Sequence, residues 1–100
     1  MAWKGAISKS LQELRIHLCQ SGPASSGVRE FLISNYAEIK KANPGFPLLV
    51  RECSGIEAKL IARYDFGVEK SVSIQGDNPQ SIISKLDQLI KHGESLPKAA

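Results

Sequence analysis

Two cysteines are the most reactive side chains of this chain, and the first lies where thiol chemistry is favoured. Cys19 stands in IHLCQSGPASSG (16–27), where an apolar strand pattern runs into a turn of small residues before a helical pattern begins. A thiol just ahead of a helix N-terminus has a lowered pKa and is more reactive. A Cys-x-x-Cys site needs its second thiol at position 22, but Gly22 stands there. The turn therefore holds a nucleophile without a resolving partner.

Cys53 ends a second strand pattern, PLLVREC (47–53), and strand parity predicts that its side chain shares a sheet face with Cys19. Neighbouring strands lie about 4.8 Å apart, and a disulfide needs a Cα separation of roughly 4.4–6.8 Å. Three readings of the pair stay open. The thiols form a structural or redox-dependent disulfide, they are two buried reduced thiols, or Cys19 is redox-active.

A second candidate site consists of cationic side chains that alternate with apolar ones. Arg15 and His17 alternate with the apolar residues of strand pattern 11–18, and by the same parity Arg51 and Arg63 join them. Arginines on a bare sheet face suit an acidic protein surface or a phosphate group, because guanidinium forks bind both in bidentate fashion. The alternative is that these side chains only solvate an open face. His17 on its own does not indicate catalysis.

Composition excludes several other functions. One hundred residues, 42% hydrophobic and 23% charged, make one ordinary globular domain, and no apolar run reaches the roughly 20 residues that span a bilayer. Residues 1–51 contain seven Lys and Arg against three acids, a charge of +4, whereas residues 52–100 contain six against seven, a charge of −1. This excess is too mild for a nucleic-acid-binding tail. Neither a phosphate loop, a nucleophile elbow nor a metal cluster is present in the sequence, so we expect no cofactor.

The elements that must position these residues follow from hydrophobic periodicity. The patterns predict strand 11–18, helix 28–42, strand 47–53, strand 59–66, strand 69–74 and a final helix with Asn78 as N-cap, Pro79 in its first turn and Gly93 at its end. Ser25 or Ser26 is the expected cap of the first helix. The segment Asn43-Pro44-Gly45 is expected to stop it.

The resulting fold class is α/β and thioredoxin-like. A four-stranded mixed sheet in β-α-β-β-β-α order carries two main helices on one face. The first crossover is long enough for a parallel, right-handed βαβ unit. Thioredoxins insert a further helix between strands two and three. Here the connection is only SGIEA (54–58), so that helix is missing or vestigial and one sheet face stays bare. Ala58 stands where a thioredoxin has its cis-proline.

The two ends of the chain differ from this domain, which we place at residues 13–93. Residues 1–12 form a basic N-terminal segment in which Trp3, Ile7 and Leu11 fall on one helical stripe. Such a segment is typical of an uncleaved mitochondrial targeting signal, and the alternative is a frayed basic terminus. Residues 94–100 are expected to form a flexible tail.

The stretches LRIHLCQSGPASSGVREFL and NPGFPLLVRECSGIEAKLIARYDFGVE closely resemble a family of small thioredoxin-fold accessory subunits of mitochondrial NADH:ubiquinone oxidoreductase, respiratory complex I. The resemblance runs from about Leu14 to Glu69, and certain mitochondrial ribosomal proteins share the domain. It implies a redox-dependent disulfide at the positions of Cys19 and Cys53. This chain departs from the family at Ala58, where members often have proline, and at Ile61, where they often have tryptophan.

The resemblance also implies a function. A member would be a non-catalytic subunit on the matrix side of the inner membrane, in the peripheral arm of the complex, where it docks on the large iron–sulfur subunit and supports assembly or stability. It would bind no cofactor or nucleic acid and would meet the membrane only through the complex. Two alternatives remain, a mitochondrial ribosomal protein that contacts RNA and a thiol–disulfide oxidoreductase.

Overall fold

A computed structural model describes residues 2–19 and 22–97, apart from the side chains of residues 2 and 3. Its main elements are, in chain order, α1 (Ala2–Ser10), β1 (Glu13–Leu18), α2 (Ser26–Ala42), β2 (Leu48–Glu52), β3 (Lys59–Arg63), β4 (Glu69–Ser73) and α3 (Pro79–Ser95). Short 3-10 turns lie at Pro23–Ser25 and Asp65–Gly67. From β1 onward the order confirms the predicted β-α-β-β-β-α arrangement, and α1 adds a third helix before it. None of the described helices is long and apolar enough to cross a bilayer.

The four strands form one mixed sheet in the order β2-β1-β3-β4. β1 pairs with β2 in parallel, whereas β1–β3 and β3–β4 are antiparallel. The connection between β2 and β3 contains no helix, as its length predicts. The sheet is therefore covered by helices on one face only.

Strand alternation decides which face is buried. In β1, Leu14, Ile16 and Leu18 are buried, while the residues between them are half-buried. The same face of the sheet receives Leu60 and Ala62 from β3 and packs under the apolar stripes of the helices. In α3 that stripe is the predicted one, since it buries Ile82, Leu86, Leu89 and Ile90 and half-buries Ile83.

The N-terminal helix α1 packs as an integral part of the helical layer. Ile7 is completely buried and Leu11 nearly so, which confirms two members of the predicted stripe; the side chain of Trp3 lies outside the described residues. Buried Asn43 joins α1 to the end of α2. Its amide nitrogen donates to the carbonyl oxygens of Lys4 (2.6 Å) and Ile39 (2.8 Å), and its amide oxygen accepts from the backbone N–H of Ser8 (3.1 Å). The alternative of a frayed terminus is thus wrong for residues 2–10.

Of the two predicted helix caps, only one makes a capping hydrogen bond. Asn78 caps α3 as expected, because its side chain accepts from the backbone N–H of Ser81 at 2.8 Å. Ser25 stands at the N-cap position of α2, as expected, but its side chain makes no capping hydrogen bond. Its hydroxyl accepts instead from the backbone N–H of Cys19 at 3.0 Å and so connects the end of β1 to the start of α2.

The ends of β3 and α3 also differ from prediction. β3 ends at Arg63 because the following residues form a 3-10 turn, in which Phe66 has a φ of 64° and is 72% exposed. α3 continues through Gly93 to Ser95. Gly93 is needed for close packing, since a Cβ there would lie 2.7 Å from the carbonyl oxygen of Ser10 and 2.8 Å from the ring of Tyr64. The hydroxyl of Tyr64 donates to the carbonyl oxygen of Leu89 at 2.8 Å, and burial raises its pKa to about 12.

We expect Gly93→Ala to lower the free energy of unfolding by about 1–3 kcal/mol, because overpacking at a close helix contact outweighs the better helix propensity of alanine. Gly5→Ala in α1 is the matched control. A Cβ at Gly5 meets no heavy atom within 4 Å, so this change should stabilise by about 0.5–1 kcal/mol. Urea denaturation measures both, and stabilisation by Gly93→Ala would contradict the close contact.

Candidate functional site

The uncovered face of the sheet, called here the open face, brings together most of the cationic residues that strand parity predicts. The register pairs His17 with Arg51 on β2 and with Lys59 on β3, and Arg15 lies two positions before His17 on the same face. Arg63 shares the face but pairs with Glu13, at the opposite end of β1. The basic patch therefore consists of Arg15, His17, Arg51 and Lys59, with Arg63 outside it.

A shallow groove of about 370 Å³ lies within the patch and is lined by Arg15, His17, Leu49 and Arg51. Leu49 is 47% exposed and gives the groove an apolar floor between cationic walls. A groove of this kind binds a carboxylate together with an adjacent apolar group, since the guanidinium forks hold the anion. Sequence analysis missed Leu49 and Lys59. Lys59 has the same strand parity as Arg63, which is the signal that would have found it.

Ion pairs divide the open face into a neutralised half and a cationic half. The guanidinium of Arg63 donates to Glu69 at 2.8 Å, which raises the pKa of Arg63, and the Nε of Arg15 donates to Glu13 at 2.7 Å. Lys59 lies 3.9 Å from Glu57. Arg51 is exposed and makes no ion pair with any described residue. The uncompensated positive charge of this face is therefore centred on Arg51.

His17 reports on this charge through its pKa. Partial burial lowers the pKa of the imidazole below its ordinary value of 6.5, and the positive charges of Arg51, Lys59 and Arg15 lower it further, in that order. Each of these cations repels the positive charge of a protonated imidazole, so protonation of His17 becomes less favourable. His17 is thus held neutral to lower pH than a free histidine.

The two cysteines lie at the adjacent carboxyl ends of β1 and β2. The parallel register ends at Leu18 and Glu52, and the backbone N–H of Cys53 donates to the carbonyl oxygen of Leu18 at 3.2 Å, so Cys19 and Cys53 are the next positions along it. Both are half-buried, and no disulfide joins them in this structure. The disulfide between them stays a prediction.

The turn after Cys19 is held by contacts that sequence patterns did not reveal. The guanidinium of Arg29 donates to the carbonyl oxygens of Cys19 (2.9 Å) and Gly22 (3.1 Å). The backbone N–H of Gly55 donates to the sulfur of Cys19 at 3.4 Å. A Cβ at Gly22 would lie 3.1 Å from the same sulfur. A side chain at position 22 would therefore face the sulfur of Cys19.

Metal binding finds no support in this region. Within residues 2–19 and 22–97, no group of three His, Cys, Asp or Glu side chains converges in a way that could hold an ion. What the arrangement offers chemically is anion binding at the basic patch and disulfide formation at the cysteines.

Comparison with known proteins gives consistent matches. The model of the mitochondrial ribosomal protein L51 / S25 / CI-B8 domain matches residues 28–79. A protein of Arabidopsis thaliana named NADH dehydrogenase (ubiquinone) 1 alpha subcomplex subunit 2 is 50% identical over 93 residues, which are 93% of this chain and 96% of that protein. The mouse protein of the same name is 45% identical over 80% of this chain and 81% of its own. The NADH-ubiquinone oxidoreductase 10.5 kDa subunit of Neurospora crassa is 41% identical over 92% and 98%.

Arg51→Gln should raise the pKa of His17, because it removes the positive charge that lowers this pKa most, while burial, Lys59 and Arg15 still hold the pKa below 6.5. NMR titration of the imidazole measures the change, with His92 on α3 as the internal control. The unfolded chain binds the His17 proton first as pH falls, so the free energy of unfolding decreases from about pH 6.5 downward through the folded-state pKa. Arg51→Gln should reduce that decrease, and an unchanged His17 pKa would contradict the geometry.

Gly22→Cys should restore a dithiol site, because the backbone at position 22 has a φ of −66° that any residue adopts and its side chain would face the sulfur of Cys19. Under mild oxidation we expect a disulfide between Cys19 and the introduced thiol, read as the loss of two hydrogen atoms in the mass of the tryptic fragment. The unaltered chain, oxidised in parallel, tests the Cys19–Cys53 bridge, and Cys53→Ser is its control. A Gly22→Cys chain whose two turn thiols both stay alkylatable would contradict this geometry.

Proposed function

Because the chain belongs to the L51/S25/CI-B8 domain family, among its NADH dehydrogenase (ubiquinone) 1 alpha subcomplex subunits, we propose that it is an accessory subunit of mitochondrial respiratory complex I. Its place is the matrix side of the inner membrane, in the peripheral arm, and it meets the membrane only through the complex. The ribosomal alternative is less well supported, because the relatives that match nearly the whole chain carry NADH dehydrogenase names.

Docking uses the open face, and the observation that carries this proposal is exposed Arg51 on the bare sheet face, which forms no ion pair with any described residue. A sheet face left without a helix buries its remaining apolar surface only when a partner covers it. Around the groove, Leu49 offers apolar area and the basic patch offers charge, so the partner surface is acidic with an apolar centre. The large iron–sulfur subunit of the peripheral arm, to which the resemblance points, is the proposed partner.

The subunit acts without catalysis of its own. A thiol–disulfide oxidoreductase needs a resolving thiol next to its nucleophile, and Gly22 supplies none. The thioredoxin cis-proline position is occupied by buried Ala58, whose backbone N–H donates to the side-chain oxygen of Gln75 at 2.8 Å, a bond that proline cannot make. We propose that Cys19 and Cys53 instead form a redox-dependent disulfide that fastens β1 to β2.

Reversal of the central charge tests the docking surface. In mitochondria that lack the endogenous subunit, a tagged unaltered chain should co-migrate with complex I in native gels, and Arg51→Glu should reduce its incorporation at least tenfold, because one charge-assisted contact at an interface centre is worth about 1.5–3 kcal/mol. The free Arg51→Glu chain should unfold at the same urea concentration as the unaltered one, since Arg51 is exposed and makes no ion pair with any described residue.

Lys70→Glu is the matched control, because it makes the same charge change at an exposed residue of β4 whose parity is that of the covered face. Its incorporation should be unchanged. Equal incorporation of Arg51→Glu and Lys70→Glu would place the docking surface elsewhere on the chain. Recovery of the tagged unaltered chain in ribosomal gradients and not with complex I would overturn the proposed function itself.

A further inference from the structure

The edge strand β2 offers a row of backbone groups that no described part of the chain pairs. The backbone N–H of Leu14 donates to the carbonyl oxygen of Pro47 at 3.1 Å, and at the other end the N–H of Cys53 donates to Leu18. Because backbone groups alternate sides along a strand, the odd-numbered residues of β2 face β1. The N–H and C=O groups of Leu48, Val50 and Glu52 therefore point away from the sheet.

A mainly apolar pocket lies beside the C-terminal end of this edge, on the helical side of the sheet. This pocket of about 230 Å³ lies between the end of β2 and the first half of α2, lined by Leu18, Arg29, Leu32, Ile33 and Glu52. Ile33, which lines this pocket, is 87% exposed, and Tyr36 one turn further along α2 is also exposed. Since about 150 Å³ suffices for a benzene-sized ligand, the pocket accepts one large apolar side chain.

Charged side chains lie near both ends of β2. Lys40, in the last turn of α2, reaches the start of β2, where its Nζ donates to the carbonyl oxygen of Phe46 at 3.0 Å and keeps further N–H groups for another acceptor. Glu52 lies at the end of β2, is exposed, and forms no ion pair with any residue within the described ranges. Lys40 is thus a cation near the start of β2, whereas the pocket at its end is lined by both Arg29 and Glu52.

The opposite edge of the sheet has no comparable features. At the two ends of the β3–β4 pair, the N–H of Tyr64 donates to the carbonyl oxygen of Val68 and the N–H of Ile74 donates to that of Ala58. The even-numbered residues of β4 therefore face β3, and the outward backbone groups are those of Glu69, Ser71 and Ser73. These residues are charged or small and polar, which is how exposed edges avoid pairing.

We propose that β2 and α2 form a binding groove for an extended segment of another polypeptide, which adds to the sheet beside β2. The segment places one aliphatic or aromatic side chain in the pocket next to Ile33 and an acidic residue near Lys40. An extended backbone is the partner that pairs a row of free strand N–H and C=O groups, and its alternate side chains give specificity. The surface is distinct from the basic patch, which lies on the other face of the sheet.

A second copy of this chain fits the groove less well. If the second copy paired its β2 edge with this one, its α2 would come with it. The pocket is large enough for one side chain but not for a helix. The inference rests on the proposed function only for the source of the segment, which we take to be another complex I subunit.

Val50→Pro tests the groove, because it removes one outward N–H and places ring carbons where an added strand must lie. Proline is tolerated on an edge strand where the lost N–H faces solvent, so the free chain should stay folded. We expect roughly tenfold lower incorporation into complex I, as the loss of one or two backbone hydrogen bonds at an interface implies. Ser71→Pro makes the matched change on the β4 edge and should incorporate normally.

A second measurement keeps the inference testable if Val50→Pro fails to fold. A benzophenone amino acid replaces Ile33, purified complex I containing this chain is irradiated, and the cross-linked peptide is sequenced. Phe66, also exposed but on the β3–β4 turn, receives the same group as the control. The expected product from position 33 is one defined segment of another subunit, absent from position 66.

The outcomes separate the two proposals. If the unaltered chain does not purify with complex I, the proposed function fails. If it does, the inference is overturned when Val50→Pro incorporates as well as Ser71→Pro, when position 33 cross-links to a second copy of this chain, or when it captures no defined segment. Protection of the Val50 amide from hydrogen exchange in the complex, but not in the free chain, would support the strand pairing.

Discussion

The sheet of this protein is covered by helices on one face only, and most other features depend on that constraint. The connection between β2 and β3 is too short for a helix, so the strands alternate apolar and polar residues instead of being apolar on both sides. One-sided burial leaves a small core, and a domain of 100 residues has little surplus stability to begin with. α1 matters for this reason, since it brings Ile7 into the same core and is held there by Asn43.

The turn after Cys19 is held by contacts from separate parts of the chain. Arg29 and Ser25 hold the turn through the backbone of Cys19, and Gly55 contacts its sulfur. These contacts fix the relative position of β1, α2 and the loop after β2, which is where the crossover unit is joined.

Strand parity and helix periodicity were enough to predict the sheet, the bare face and the buried stripe of α3. Each is a property of residues close together in sequence, such as the alternation around Arg15 and His17 or the Asn78-Pro79 start of α3. What could not be predicted depends on contacts between distant residues. A nine-residue helix such as α1 is not stable by itself, Gly93 is explained only by its approach to Ser10, and the hydroxyl of Ser25 was expected at α2 but bonds to Cys19.

The candidate site shows the same division. Parity alone placed Arg15, His17 and Arg51 on one face, but the ion pairs that neutralise Arg63 and leave Arg51 uncompensated required the positions of Glu69 and Glu13. The groove beside β2 was not foreseen at all, because nothing local in LLVRE indicates that it is an edge strand. Edge position is decided by the order β2-β1-β3-β4, which is a property of the whole sheet.

The central position of β1 has a consequence for the order in which the chain folds. Leu14 pairs with Leu48 and with Ala62, which are 34 and 48 residues further along the chain (48 − 14 and 62 − 14). β1 is therefore synthesised before both of the strands that pair with it. Folding of such non-local strands is slow, because the loops must close before their contacts form. Until those strands pair with it, the apolar residues of β1 are exposed, so a chaperone that recognises short apolar segments can bind LRIHL.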